Sequence, residues 1–365
     1  MKPKKIVIIA GDKSGDLYAG NLCKKIKEKF GDIEIYSFGG EILAQNSHQI
    51  INLLSHSVSG IIEVLSSIKK LIEIFNKTLE TIKQISPDLV ILVDFPDFNL
   101  RLAKKLNKKY PLFYYVSPQI WAWRKKRINL IKKYVDKMIV IFRFEEEIYK
   151  KENVDVLYFG HPLLEIIEDQ KTEVKNIISF LPGSRKNELK KHLPIMIRAK
   201  TILDKNLVGY KFRIIKPSNL EKKFYDKFSL SMDIVDHSYK AIKESKFIIA
   251  SSGTATVEIA VLGVPYIIIY KVNPISWQIL KRMVKTDFVG MINILASKNI
   301  VKELLQEKAH PEEIAKVSLD YLKDEKKYLR LKEQLNETRG KLLPYGAIEK
   351  LSDFIGNFLN LPSLG

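Results

Sequence analysis

Residues 246–271 read KFIIASSGTATVEIAVLGVPYIIIYK, a pattern that leaves little choice of local structure. A short apolar run with β-branched residues at 247–250 is followed by the turn formers Ser251, Ser252, Gly253 and Thr254, then by apolar residues at helical spacing over 255–262. Gly263 stops the helix, and 264–270 is a second apolar run of strand length. Strand, tight loop, helix and strand make a parallel βαβ unit. Its helix start, with unpaired N–H groups, points beyond the strand ends, where open α/β sheets bind ligands. Gly253 lets backbone come close there, so the loop suits phosphate, and Glu258, one turn further in, is placed to accept from two sugar hydroxyls. An ordinary capped turn with a surface glutamate fits the same letters.

A second loop narrows the choice. The strand-like run 176–181 is followed by Pro182, Gly183, Ser184 and Arg185, with Glu188 and a helical pattern after it. Gly183 and Ser184 supply close backbone and a hydroxyl, while Arg185 supplies a planar fork for phosphate oxygens that lysine would not match. Two such loops in one α/β unit point to a nucleoside diphosphate.

Strand and helix patterns alternate through most of the chain. Strands are expected at 6–10, 33–38, 87–95, 112–116, 138–142 and 156–159, and again at 177–181, 211–215, 246–250 and 264–270, after which the pattern is helical to the end. That is the signature of doubly wound parallel sheets. At 365 residues the chain exceeds a usual single core, and 46% hydrophobic content suffices for two. The periodicity weakens after His161 and Pro162 through the polar run EDQKTEVKN, which places a hinge there.

Cys23 is the only cysteine, which excludes a disulfide framework and a thiolate metal site and agrees with a reducing compartment. The start, MKPKKIVIIAGDKSGD, has only five apolar residues before glycine and charge, so it reads as a first strand and not as a signal peptide. No apolar run approaches membrane-spanning length. The formal charge of +19 suits an anionic lipid surface, a phosphorylated substrate or nucleic acid, but no RNA- or DNA-binding motif supports the last. A long helical pattern over 59–82 carries apolar residues at 61, 62, 65, 68, 72, 75, 79 and 82, a stripe that suits a core-facing helix before one lying against lipid. The segment 58–62 before it is an apolar loop able to meet acyl chains.

In the first half, chemistry-bearing residues gather after strands. Gly11, Asp12, Lys13, Ser14, Gly15 and Asp16 follow the first, and Asp94, Phe95, Pro96, Asp97, Phe98 and Asn99 follow the strongest. Asp97 precedes a helical pattern and reads as its N-cap, whereas Asp94 has no such structural duty, so both catalysis and structure stay open for it. Gln119, Trp121 and Trp123, with the following Arg124 to Arg127 run, suit packing and the wall of a binding cleft alike. Aspartates never stand two apart, the histidines show no metal-ligand spacing, and there is neither a Walker lysine nor a G-x-G-x-x-G. Metal-clamped sugar transfer, ATP hydrolysis and dinucleotide redox chemistry are therefore disfavoured, and no cofactor is expected.

Taken together, GDKSGD, VDFPDFN, YYVSPQIWAWR, FGHPL, LPGSRKNE, SSGTATVE and KTDFVGMINILASKNIVKELLQ, spaced along nearly the whole chain, resemble the lipid-A-disaccharide synthases. The resemblance implies a GT-B architecture of two Rossmann-like domains facing a cleft. An acceptor-binding domain is expected over 1–165, a UDP-sugar-binding domain over 170–340, and a helical tail over 341–365 packed on the first domain or on a partner in a homodimer. It further implies an inverting, metal-independent glycosyltransferase, peripheral on the cytoplasmic face of the inner membrane, joining a UDP-diacylglucosamine donor to a diacylglucosamine 1-phosphate acceptor. By position, the family's proposed base falls on Asp94, its essential arginine on Arg185 and an asparagine near the donor on Asn293. Donor-side residues are then Gly183, Ser184, Arg185, Ser252, Gly253, Thr254, Glu258 and Asn293, and acceptor-side candidates are Ser14, Gly15, Asp16, Gln119 and Trp121. Asp12 departs from the common Gly-Glu-x-Ser-Gly-Asp by one methylene, and Phe95 stands where a small residue is usual. A UDP-sugar epimerase or a peptidoglycan glycosyltransferase of the same architecture is the competing enzyme reading, and a basic nucleic-acid-binding protein the competing non-enzyme reading.

Overall fold

A computed structural model describes residues 2–31, 33–56, 64–122, 124–167, 172–218, 220–228, 231–273, 277–278 and 286–364, with backbone alone at 56 and 64–68. The apolar segment 58–62, Trp123 and the first part of the expected hinge, 168–171, lie outside the described residues. The chain forms two compact units, Met1–Ile166 with Leu342–Gly365, and Ile167–Lys341.

The first unit is built on a parallel seven-stranded sheet, ordered β3-β2-β1-β4-β5-β6-β7. Its strands are β1 (Lys4–Ala10), β2 (Ile33–Gly39), β3 (His48–Asn52), β4 (Leu89–Val93), β5 (Leu112–Tyr115), β6 (Lys137–Val140) and β7 (Val156–Tyr158). Between them run α1 (Lys13–Phe30), α2 (Glu41–Ala44), α3 (Val64–Ile85), α4 (Pro96–Leu106), α5 (Ile128–Tyr134), α6 (Arg143–Lys151) and α7 (Leu163–Ile166). Every residue of β4, LVILV, is buried, because helices cover both faces of a parallel sheet. Two expectations need correction. Helix α3 turns Ile74 and Thr78 inward with Ile82, but Ile72, placed on the core stripe, is 55% exposed. Edge strand β3 was not expected at all, since exposed His48 and Gln49 break the apolar alternation.

The second unit holds a parallel six-stranded sheet, ordered β10-β9-β8-β11-β12-β13. The strands are β8 (Lys175–Leu181), β9 (Lys211–Lys216), β10 (Asp233–Asp236), β11 (Ser245–Ser251), β12 (Tyr266–Tyr270) and β13 (Glu303–Leu305). The helices are α8 (Lys186–Asn206), α9 (Tyr239–Lys243), α10 (Ala255–Val261), α11 (Met291–Ala296), α12 (Pro311–Lys323) and α13 (Glu325–Gly340). Strand β13 corrects the expectation of helix alone after 270: it adds to the sheet through Ile268, Ile269 and Tyr270. Strands this short, like the charged edge strand β10, carry too few residues for a period to register. Buried Arg213, on β9, ties β8 and β11 to its own strand by donating to Ser179 Oγ at 3.0 Å and to Ser245 Oγ at 3.4 Å, and it also meets Glu244 at 3.1 Å.

The chain then returns to the first unit, where α14 (Ala347–Leu359) lies along α1. Their axes approach so closely that a Cβ on Gly356 would stand 2.1 Å from the Phe30 ring. Lys29 pairs with Glu349 and Asp353, and Ile348 N–H donates to Glu165 at 2.8 Å.

Candidate active site

Each sheet has one place where the strand order reverses. In the first it lies between β1 and β4, and in the second between β8 and β11. Connections leave in opposite directions there, so the loops beyond the carboxyl ends part and leave a crevice. The motifs singled out from the sequence sit at these two places: 11–16 and 94–99 in the first unit, 182–185 and 252–254 in the second.

In the first unit, the pairing of Ala10 with Val93 brings the two loops side by side. Asp12 caps α1, accepting from Gly15 N–H at 2.7 Å and from Ser14 Oγ at 3.0 Å. Asp94 follows β4 in the left-handed region, as does Phe95, with φ of 43° and 45°. Non-glycine residues avoid this region, at a cost of about 1–3 kcal/mol each. Here surrounding bonds hold it: Asp94 N–H donates to Tyr115 O, and the Asp94 carbonyl accepts from Tyr114 Oη at 2.6 Å and Asn99 Nδ2 at 2.9 Å. The loop after β5 is bent likewise, with Val116, Gln119 and Arg124 at positive φ. Such concentrated strain in two neighbouring loops is the mark of a shaped site.

The half-buried Asp94 carboxyl is pushed well above the usual carboxylate range, first by loss of water and then by the charge of Asp12, with which it shares a hydrogen bond. Two carboxyls in contact cannot both ionise freely, so Asp94 holds its proton to higher pH than an ordinary aspartate. The Phe95 ring covers Gly11, where a Cβ would meet it at 2.1 Å, and stacks on Phe98 at 5.4 Å. Glycine at position 11 is thus what admits phenylalanine beside the carboxyl pair.

Other expected residues divide. Gln119 is exposed beside the bent loop, and Trp121 is half-buried, edge-on to Phe144. Asp16 is buried and accepts from the N–H groups of Gly40, Ile42 and Leu43. Its carboxylate is thereby spent on bracing α2, which counts against the acceptor-side role expected for it. Asp97 is not the N-cap of α4, which is Phe95; it lies in the first turn and accepts from Arg124 at 2.6 Å and Arg127 at 2.7 Å. The kinked entry through Phe95 and Pro96 moved the helix start upstream of it.

Sequence reasoning missed Glu145. It is 1% exposed in the first turn of α6, accepts from Trp121 Nε1 at 3.0 Å, and burial pushes its pKa up to about 7. Its charge also contributes to the upward shift of Asp94. The only signal was the aromatic setting of Glu145 in FRFEEEIY, and acidic residues are common in any first helical turn.

In the second unit the pairing of Leu181 with Ala250 sets the two loops next to each other, and a Cβ on Gly183 would lie 3.4 Å from Ser251 Oγ. Gly183 has φ of 115° and no room for a side chain, since Glu188 would stand 2.7 Å away. Arg185 is 80% exposed, steadied at one edge by Glu188 at 3.2 Å. Most of its fork is open. Gly253 has φ of 154° and open space on its Cβ side. Buried His192 clips this region together: its Nδ1 bonds the Pro182 carbonyl at 2.8 Å and its Nε2 accepts from Lys271 N–H at 3.1 Å. Those partners fix the neutral tautomer protonated at Nδ1, and burial lowers the pKa. Glu258, 10% exposed, accepts at Oε2 from His237 Nε2 at 3.0 Å.

Asn293 is fully buried. Its Oδ1 accepts from the N–H groups of Ile300 and Val301, and its Nδ2 donates to Val301 O and to Glu303 at 2.7 Å. Glu303 also accepts from Val289 and Gly290 N–H, so this pair shapes the entry to α11 and spends both ends of Asn293 doing so.

The lipid-A-disaccharide synthetase family pattern matches residues 6–348. The chain belongs to this family. A lipid-A-disaccharide synthase of Syntrophus aciditrophicus (strain SB) is 34% identical over 369 residues, covering 96% of each chain. One from Sulfurihydrogenibium sp. (strain YO3AOP1) is 38% identical over 389 residues, covering 98% of each. Among solved structures, S. aureus MnaA with UDP superposes with a TM-score of 0.69 at 13% identity, covering 98% of each chain. The glycotransferase of kitacinnamycin gives 0.65 at 11% identity, covering 99% of this chain and all 100% of the other. These likenesses give the GT-B fold, shared by epimerases and transferases alike. The family settles the class between them: the chain is a glycosyltransferase of lipid A biosynthesis, and the epimerase and nucleic-acid readings are not favoured.

Proposed function

We propose that the chain transfers 2,3-diacylglucosamine from its UDP derivative to O6 of 2,3-diacylglucosamine 1-phosphate, with inversion and without a metal ion, giving the β(1→6) disaccharide 1-phosphate and UDP. The observation that carries this is the family match over nearly the whole chain, joined to the placement of its motifs at both switch points. In the step itself the acceptor O6 attacks the anomeric carbon, its proton passes to the ionised Asp94, and the bond from that carbon to the diphosphate oxygen breaks. Inversion follows from one displacement on the face opposite the leaving group. A base of raised pKa is better matched to a hydroxyl proton than an ordinary aspartate, and burial, followed by the charge of Asp12, raises that of Asp94. UDP departs as an anion that needs charge stabilisation more than a proton, and the open fork of Arg185, beside the close backbone of Gly183 and Gly253, supplies it. Asn293 acts by holding its loop. Ser14 and Gly15 hold Asp12 in place, and Gln119 and Trp121 present the bent loop to the acceptor.

Among the described residues no helix is long and apolar enough to cross a membrane. The reading of attachment is peripheral, on the cytoplasmic face of the inner membrane. Net charge of +19 and the exposed Leu71 and Ile72 beside Lys69 and Lys70 on α3 support it. A thin-layer assay with both acylated substrates, each omitted in turn, tests the reaction. The disaccharide should form only with both present, and release of UDP without acceptor, at the full rate, would refute transfer.

A further inference from the structure

Glu258 and His237 form a pair that the transfer mechanism does not use. His237 directly follows edge strand β10, at the same carboxyl end of the sheet as the loops 182–185 and 252–254, and its backbone N–H donates to Lys216 O at 2.9 Å. The helix α9 that begins two residues later is capped by Ser238, whose Oγ accepts from Ala241 N–H at 3.1 Å. Tyr239 meets the His237 ring edge-on at 6.1 Å. The imidazole is thus held from behind, and with 31% of its side chain exposed it reaches Glu258 with Nε2. A carboxylate can only accept, so Nε2 carries the proton in this bond. One carboxylate oxygen is thereby taken and the plane of the group fixed. Oε1 has no hydrogen-bond partner among the described residues.

We propose that His237 is a positioning residue for the nucleoside of the donor: by holding Glu258 at Oε2 it aims the carboxylate at the ribose diol, and so gives the site its preference for a ribonucleoside diphosphate. This rests on the reading above that loops 182–185 and 252–254 hold the diphosphate. The sugar next to those phosphates then falls within reach of Glu258, one helical turn beyond Thr254. An unheld glutamate would have to give up side-chain freedom on binding, whereas one fixed beforehand has already done so. A carboxylate aimed at a hydroxyl also penalises a ligand that lacks it, because a desolvated acceptor is left unpaired.

Calorimetric titration with UDP and with 2′-deoxy-UDP tests this on the full chain, for wild type, His237→Ala and His237→Gln, with melting temperature recorded for each. Wild type should favour UDP by about tenfold or more, as expected for one charge-assisted hydrogen bond. His237→Ala should weaken UDP about tenfold, leave 2′-deoxy-UDP nearly unchanged, and bring the two within about threefold. His237→Gln, which keeps a donor at similar reach, should recover part of the preference. A purely structural pair would lower both affinities together or only the melting temperature, and that result overturns the proposal. A wild type that discriminates while His237→Ala discriminates equally overturns it too, leaving the donor site standing. Failure of wild type to bind UDP at all would sink both.

Discussion

Replacing Asp94 by asparagine keeps the shape of the side chain and removes the proton acceptor. As the base, its loss should lower turnover by about 10²–10⁴-fold, which is roughly 2.7–5.4 kcal/mol of barrier. UDP affinity should hold, because the loops proposed to bind UDP belong to the other unit. The same change should stabilise the protein, and the sign can be worked out. The folded-state pKa of Asp94 is raised, by burial and then by Asp12, so its contribution to stability is fully present below the ordinary carboxylate pKa and is lost as pH rises through the folded value. Above that folded value the wild type therefore carries a strained charge that Asn cannot carry. Relieving a poorly solvated charge is worth about 1–3 kcal/mol, and at about 2–4 °C per kcal/mol for a domain of this size the variant should melt several degrees higher.

The pH profile of kcat separates Asp94 from its neighbours. Wild type should lose rate on the acid side, and the limb should vanish from the residual activity of Asp94→Asn. Asp12→Asn removes the adjacent negative charge, so the limb should move to lower pH. Glu145 also titrates in the neutral range, at about 7, and must be tested as the source of the limb. Glu145→Gln should keep the limb, shifted slightly to lower pH by loss of its repulsion of Asp94. Asp97→Asn should leave the profile alone and cost under about 1 kcal/mol of stability, since Asp97 is 62% exposed where it meets Arg124 and Arg127. If Asp94→Asn keeps its rate and its limb while Asp97→Asn or Glu145→Gln is dead, the base has been assigned to the wrong carboxyl.

Arg185→Lys keeps the charge but loses the fork, so single-turnover rate should fall more than UDP affinity; weakened UDP binding with unchanged turnover would make Arg185 a ground-state clamp instead. Binding to vesicles containing anionic lipid should fall steeply with added salt, leaving a residual apolar part, and flotation assays that show equal binding to neutral vesicles at all salt concentrations would refute an electrostatic share. His161, 1% exposed, has its pKa lowered to about 3 by burial, so its stabilising neutral state is complete above the ordinary histidine value near 6.5 and is lost as pH falls toward 3. Denaturant titrations from pH 7 to 4 should show a shallower acid loss in His161→Gln than in wild type.

Long, fully buried strands such as β4 were legible because nothing but a sheet covered on both sides accommodates LVILV. The turns after β8 and β11 were legible because Gly183 and Gly253 adopt backbone that other residues resist. What could not be read was anything whose partner lies across the sheet. Asp97 looked like a helix cap because spacing along the chain is all that a sequence displays; its partners, Arg124 and Arg127, come from beyond β5. Asp16 looked like part of a ligand loop until α2 arrived to take its carboxylate. The same blindness hid Glu145, His192 and His237, each an ordinary residue in its own helix or turn and each bonded to a residue distant in sequence.

This division has a physical origin that bears on the chemistry. A residue alone after a strand end has roughly the acidity of its type, and Asp94 would be a poor base near pH 7 if it were merely an exposed aspartate. Its acidity is altered first by burial, then by Asp12, delivered by the β1–β4 register that pairs Ala10 with Val93, and also by Glu145 in the first turn of α6. A one-residue slip of that register would turn every β4 side chain to the opposite face and part the two aspartates. The buried run of β4 therefore does more than fill the core. Its pairing with β1 sets Asp94 beside Asp12, and that contact adds to burial in raising the pKa of the proposed base.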